Sequence, residues 1–303
     1  MGLIEWAERL YTGVSMSLLS RYSVGTNIYQ RDWDLLILLD TCRIDALGAV
    51  ADGFEFICDV GSHTSLGSSS PEFMTATFTE AYRDEIENTA YLSGNAHSEH
   101  VFETRQFPEQ QNSASVSWTD WDTVEADAFG LLDHVWRYTE RLPTGPCDPM
   151  KVIDRAIQVD REESFGRVIV HLQQPHAPYV SRIAGTDADP EPYEKNPFSH
   201  LTAETRDEIW ASYLAELRYV LGKVEVLLNN FEADRAIISA DHGELFGRFL
   251  FNHPSGILHP DLRRVPWAPV EAPDSGEFDP EVERSDEIIH PASERLKELG
   301  YLE

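Results

Sequence analysis

Trp33-Asp-Leu-Leu-Ile-Leu-Leu-Asp40, running on into Thr41-Cys42-Arg43-Ile44-Asp45, and Ala236-Ile-Ile-Ser-Ala-Asp241-His242-Gly243-Glu244 are the two stretches that decide the fold. A continuous apolar run of this length reads as a strand buried on both faces, the kind found in a helix-covered parallel sheet. Ligands of such sheets bind just beyond the carboxyl ends of the strands. Asp40, Asp241 and His242 sit at those ends, so folding is expected to bring two carboxylates and an imidazole to one edge. Two oxygens and a nitrogen suit a divalent cation such as Zn²⁺ or Mn²⁺.

Working outward, Gly166-Arg-Val-Ile-Val-His171 and Thr89–Gly94 read as further strands, and Phe54–Val60 as another. Residues 203–231 and 3–20 carry apolar residues at helical spacing. Gly61-Ser-His-Thr-Ser-Leu-Gly-Ser-Ser-Ser70 is a polar loop that leads into Pro71-Glu72, a good helix start with proline at the first helical position. Strands alternating with helices predict one α/β unit over residues 1–303 with a largely parallel sheet. Residues 1–30 form its helical entry, and 271–303 an acidic tail with a closing helix at Pro291–Leu302. Residues 98–150 are too irregular to read.

The chain has 303 residues and a formal net charge of −29, from 53 acidic and 24 basic side chains, only four of them lysines. Acid spread along the whole chain points to a high-salt cytoplasm, where ions screen the self-repulsion. A nucleic-acid partner is disfavoured, since phosphates need basic groups. Cys42, Cys58 and Cys147 form no even framework. No apolar run spans a membrane, and no signal-peptide layout is seen, so a cytoplasmic location is expected. The amphipathic helix 3–20 leaves room for peripheral membrane contact. Oligomeric state is not legible.

Four segments in order carry a resemblance. Asp40-Thr-Cys-Arg43-Ile-Asp45-Ala-Leu47-Gly48 resembles the opening D-x-x-R-x-D-x-L-G segment of sulfatases. His171 to Tyr179 resembles their H-x-x-x-P-H-x-P-Y segment, Ser239-Ala-Asp241-His242-Gly243-Glu244 their S-x-D-H-G-E segment, and Leu296-Lys-Glu-Leu-Gly300-Tyr301 the end of many bacterial sulfatases. The chain is thus identified as similar to the alkaline phosphatase and sulfatase superfamily, with the charge pattern of a halophilic archaeal protein. The resemblance implies a three-layer α/β/α sandwich and metal-assisted chemistry at a sulfate or phosphate ester of a small molecule or glycan.

It further implies a cation (Zn, Mn, Mg or Ca) held by Asp40, Asp241 and His242. The nucleophile is expected at a helix N-terminus, where N–H groups and the helix dipole favour an anion. The family's nucleophile-x-Pro spacing selects Ser69, with Ser68 and Ser70 beside it; any of the three also reads as a helix cap. His176 and His253 are candidate catalytic groups, and Asn95, His97, His259 and Arg43 candidate substrate contacts. His63 and His171 read as structural, as does an Arg43–carboxylate pairing. Sulfatases oxidise a cysteine, sometimes a serine, of a C/S-x-P-S/A-R motif to formylglycine; the matching Ser69-Ser70-Pro71-Glu72-Phe73 has no cysteine and no arginine. A plain serine would be left as a stable sulfate ester, whereas a seryl-phosphate can be released by water, so the chemistry tilts toward phosphoryl transfer. The expected activity is a metal-dependent ester hydrolase. Rivals are a phospho-substituent transferase acting on a glycan or lipid and a non-catalytic protein binding an anionic glycan.

Overall fold

The computed structural model describes residues 3–111, 116–140, 142, 145–184, 186, 189–247, 251–285, 288–292, 294 and 296. Its centre is a seven-stranded sheet of order β2-β9-β6-β1-β5-β3-β4. The strands are β1 Leu35–Leu39, β2 Gly61–Thr64, β3 Thr89–Ser93, β4 Leu131–Asp133, β5 Arg167–Leu172, β6 Ala233–Ser239 and β9 Arg264–Ala272; β7 Leu245–Phe246 and β8 Phe251–Asn252 make a separate hairpin. From β4 to β6 all pairings are parallel, while β9 runs antiparallel to both β6 and β2. All five residues of β1 are buried, as its unbroken apolar run demands.

Alternation along β1 splits the core into two layers. Leu35, Ile37 and Leu39 face a cluster with residues of helices Ile44–Val50, Pro149–Glu162 and Arg206–Leu228. Leu36 and Leu38 face Phe73 and Met74 of helix Ser70–Thr77 together with Phe78, Tyr91 and Phe102. The period of two that sends successive side chains to opposite faces therefore produces the α/β/α sandwich. Helix Leu3–Leu19 is seated through the buried Met16 and a bond from Ser15 Oγ to the Gly256 carbonyl (2.6 Å). Its outer face leaves Tyr11, Val14 and Leu18 exposed. Among the described residues, no helix is long and apolar enough to cross a membrane.

One expectation is corrected, and one strand is added that no expectation covered. Phe54–Val60 is not a strand, because the N–H groups of Phe54 and Ile57 bond back to Ala51 and Phe54 in successive turns; the strand begins at Gly61. In the other direction, β9 is a nine-residue strand that two prolines conceal. Proline removes a ladder donor and belongs where one side of a strand is unpaired. Pro266 pairs with Ser62 of β2 beyond the end of the β6 ladder, and Pro269 with Ile237 of β6 beyond the end of the β2 ladder. Each falls where only one neighbour is present. The closing segment from Lys297 onward, with its Gly300-Tyr301 motif, lies outside the described residues.

Candidate metal centre and serine loop

Three adjacent strands, β6, β1 and β5, deliver the site. Leu38 is in register with His171 on one side and Ser239 on the other. Asp40 lies two residues past Leu38 and Asp241 two past Ser239, so alternation puts Asp40, Asp241 and His171 on the same face. Thr41 then takes a left-handed conformation (φ +67°), a strained one for a β-branched residue, which turns the chain off the sheet directly after Asp40.

Asp40, His171 and Asp241 are buried, and each offers a ligand atom within 4.8 Å of the others. Asp40 Oδ1, His171 Nε2 and Asp241 Oδ2 make no hydrogen bond among the described residues. The fourth member, His242, has its Nδ1 2.8 Å from the Gly243 carbonyl, which can only accept, so Nδ1 carries the hydrogen and Nε2 the lone pair. That lone pair points at Asp40 Oδ1 (3.4 Å) and Asp241 Oδ2 (3.5 Å). Lone pairs and carboxylate oxygens converging in a buried space repel unless a positive charge lies between them. The donor set fits a divalent cation of the zinc or manganese kind, to be held by Asp40, Asp241, His242 and His171.

The electrostatics agree. Burial, with Asp241 and Glu244 adding to it, holds the Asp40 carboxyl well above the usual range. Burial acts the same way on Asp241, and only positive charge at the facing His242 and His171 would outweigh it and keep that carboxyl low. Tyr91 OH lies 2.7 Å from His171 Nδ1 and fixes the ring.

The three serines face three different partners. Ser68 Oγ lies 2.7 Å from Glu72 Oε2. Ser69 is the N-cap of helix Ser70–Thr77, accepting from Glu72 N at 3.4 Å, and its hydroxyl meets Ser255 Oγ at 2.7 Å. Ser70 Oγ points at the cluster, 3.2 Å from His242 Nε2, and accepts from Asn95 Nδ2 (3.0 Å), which also donates to Asp40 Oδ2 (2.8 Å). The nucleophile-x-Pro spacing favours Ser69, whereas the geometry presents Ser70. The helix start explains the difference: Ser69 has the extended backbone of an N-cap, with its oxygen turned back toward the helix.

The other candidates divide. Asn95 is in the cluster, and His97 is buried nearby, its N–H bonded to Asn95 Oδ1 (2.9 Å). His176 and His253 meet edge to face at 5.0 Å between ring centroids, and the His253 ring centroid lies 4.7 Å from that of His242. His253 Nδ1 is 3.1 Å from Glu244, whose carboxyl burial pushes up to about 7. Burial pushes the His253 and His176 imidazoles down to about 4 and about 3, so both are neutral at physiological pH. His176 Nδ1 faces the Ala177 carbonyl, so its Nε2 is an acceptor. In this tautomer His176 Nε2 would donate to an anionic oxygen only once protonated.

Arg43 is committed elsewhere: it bonds Asp45 (2.7 and 2.8 Å), Asp261 (3.0 Å) and the Glu244 carbonyl (3.0 Å), and it lies over the Trp210 ring. It clips the turn after β1 to the turn after β6. His259 is the N-cap of helix Pro260–Arg263, its Nδ1 accepting from Asp261 N at 3.1 Å. His171 was read as structural, yet it is part of the cluster. The signal was an imidazole interrupting the buried run Val168-Ile-Val-His-Leu172.

No protein-family model matches the chain, and no curated protein matches it. Among solved structures, it is similar to the soluble domain of lipooligosaccharide phosphoethanolamine transferase A from Neisseria meningitidis (15% identity over 83% of this chain and 80% of that one, TM-score 0.47). It is also similar to the integral membrane form of that transferase (13%, 86% of this chain, TM-score 0.49), of which it spans 52%. A third similar structure is a 2-O GAG sulfatase (11%, 88% of this chain and 70% of that one, TM-score 0.41). Likenesses this distant carry no argument about chemistry, which has to be read from the side chains.

Proposed function

We propose that the chain is a divalent-cation-dependent hydrolase of phosphate esters, with Ser70 as nucleophile and Asp40, Asp241, His242 and His171 holding the cation. The observation that carries this reading is the convergence of two buried carboxylates and two imidazoles on one serine hydroxyl at a helix N-terminus. When bound, the cation supplies Lewis-acid stabilisation of developing charge and lowers the hydroxyl pKa. Asn95 Nδ2, donating to Ser70 Oγ, leaves the hydroxyl hydrogen directed toward the carboxylates and His242. Ser70 Oγ attacks phosphorus, the ester oxygen leaves as an alcohol, and water then releases the seryl-phosphate. The lack of the cysteine and the arginine of the formylglycine motif favours phosphorus over sulfur. The four-segment resemblance to the alkaline phosphatase and sulfatase superfamily supports the same reaction class.

The test is turnover of paired aryl phosphate and aryl sulfate esters in concentrated KCl, with Mn²⁺, Zn²⁺, Mg²⁺ or Ca²⁺, for wild type, Ser70→Ala and Ser69→Ala. Cation-dependent phosphate hydrolysis lost in Ser70→Ala and retained in Ser69→Ala is expected. Sulfate as the preferred ester would overturn the phosphoryl assignment. Turnover only with an added alcohol acceptor would make the chain a transferase. Full activity in Ser70→Ala would remove the nucleophile assignment.

A further inference from the structure

The buried pair Glu72–Arg263 lies outside the reacting groups just described, yet its contacts run through the serine loop. Glu72 is fully buried at the third position of helix Ser70–Thr77. Its Oε2 accepts from Ser68 N (2.9 Å) and Gly256 N (2.9 Å) and lies 2.7 Å from Ser68 Oγ. Its Oε1 accepts from Arg263 Nη2. Arg263 in turn donates to the carbonyls of Leu66 (2.6 Å) and Ile257 (3.2 Å). Ser68 Oγ also accepts from Ile257 N (3.1 Å).

One carboxylate and one guanidinium thus tie residues 66–68 to residues 256–257. Between those two segments stands the Ser69–Ser255 hydroxyl contact, next to Ser70. Room at the joint is minimal: a side chain on Gly67 would meet the Phe73 backbone N at 2.3 Å, and one on Gly256, whose φ is +81°, would meet Met16 at 2.8 Å.

A buried ion pair is a poor choice where stability alone is needed, because an apolar pair of similar volume often does as well or better. What it supplies is direction: a carboxylate accepting several bonds fixes its neighbours far more tightly than apolar contact. We propose that Glu72, braced by Arg263, is a positioning residue that sets the serine loop so that Ser70 Oγ is held against the cation ligands; this rests on the reading of Ser70 as nucleophile. It acts through Ser68 and the 255–257 segment and touches no reacting atom. Misplacing a reacting group by about 1 Å can cost about a hundredfold in rate.

The experiment compares wild type, Glu72→Gln, Arg263→Lys and the charge-free double variant Glu72→Gln/Arg263→Met. It measures kcat and KM for an aryl phosphate with Mn²⁺, Mn²⁺ affinity by calorimetry, and crystal structures. Expected is a kcat roughly ten- to a hundredfold lower in Glu72→Gln and the double variant, with KM and Mn²⁺ affinity little changed and a smaller loss in Arg263→Lys, which keeps the charge. The crystals should show the Ser69–Ser255 contact broken and Ser70 displaced from His242. The double variant guards against a fold lost to an unpaired buried charge. A folded double variant with wild-type kcat, or with Ser70 in its original place, would overturn the proposal. If wild type turns over nothing, the nucleophile reading fails, while the crystallographic position of Ser70 still decides whether the pair acts as a brace.

Discussion

Replacing Asp40 by asparagine probes the feature on which the site stands, its uncompensated negative charge. The ligand atoms of Asp40 and Asp241 lie no more than 4.8 Å apart. At an effective dielectric of about 20, ionising both at that distance costs about 3.5 kcal/mol of repulsion, one of the causes that hold the Asp40 carboxyl high. Asparagine has nearly the same shape and keeps an acceptor for Asn95 Nδ2. Its own amide can donate to the His242 lone pair that now faces Asp40 Oδ1. The cation-free Asp40→Asn protein should therefore be more stable than cation-free wild type by up to about 3 kcal/mol, seen as a melting temperature roughly 6 °C higher. The order reverses with ligand. Mn²⁺ at about a thousandfold excess over its Kd adds about 4.1 kcal/mol to wild type and little to the variant. Thermal unfolding with chelator and with Mn²⁺, both in concentrated KCl, reads both effects. An asparagine variant less stable than wild type under chelator would mean that the cluster is already neutralised by its own hydrogen bonds, and the cation site would fall with it.

Three further outcomes follow from particular contacts. Tyr91→Phe removes the partner that orients His171 Nδ1, so Mn²⁺ affinity measured by calorimetry should fall about 10- to 100-fold while the fold persists. Glu216 is buried and accepts the N–H groups of Val180 and Ser181, and burial pushes its carboxyl from 4.5 up to about 7. A raised carboxyl favours folding below about pH 4.5 and loses that contribution as pH rises through about 7. Glu216→Gln should therefore gain up to about 3 kcal/mol at pH 8 and nothing at pH 4, as denaturant titrations at the two values would show. Phe78 makes ring contacts with Tyr29, Phe73, Tyr91, Phe102 and Phe129, so Phe78→Ala should cost about 3–5 kcal/mol in the same titrations.

The parts of this architecture that were legible are those where one local signal suffices. β1 announces itself as an unbroken apolar run, β6 as Ala236-Ile-Ile leading into Asp241-His242, and the helix at Arg206–Leu228 as a long periodic face. β9 was hidden because its prolines are permitted only by where β2 and β6 end, a fact about neighbours and not about the strand. His171 was hidden because its place in the cluster follows from register with Leu38. The choice between Ser69 and Ser70 turns on one residue's backbone angles: an extended N-cap aims its oxygen at the helix, and the next residue aims at the sheet. Spacing from Pro71 does not contain that rotation.

That the ligands are delivered by three neighbouring strands, β1, β5 and β6, also governs how the site comes into being. Residues 35–40, 167–172 and 233–241 are far apart along the chain, and closing such loops makes folding slow. No two of the cluster's strands share a local segment, so no half-formed hairpin or isolated helix can preassemble its ligand set. A slip of one residue in β5 would turn His171 to the opposite layer and open the ring of ligands. Cation binding should then act as a proofreader of strand register, rewarding only the chain whose sheet is complete and correctly paired.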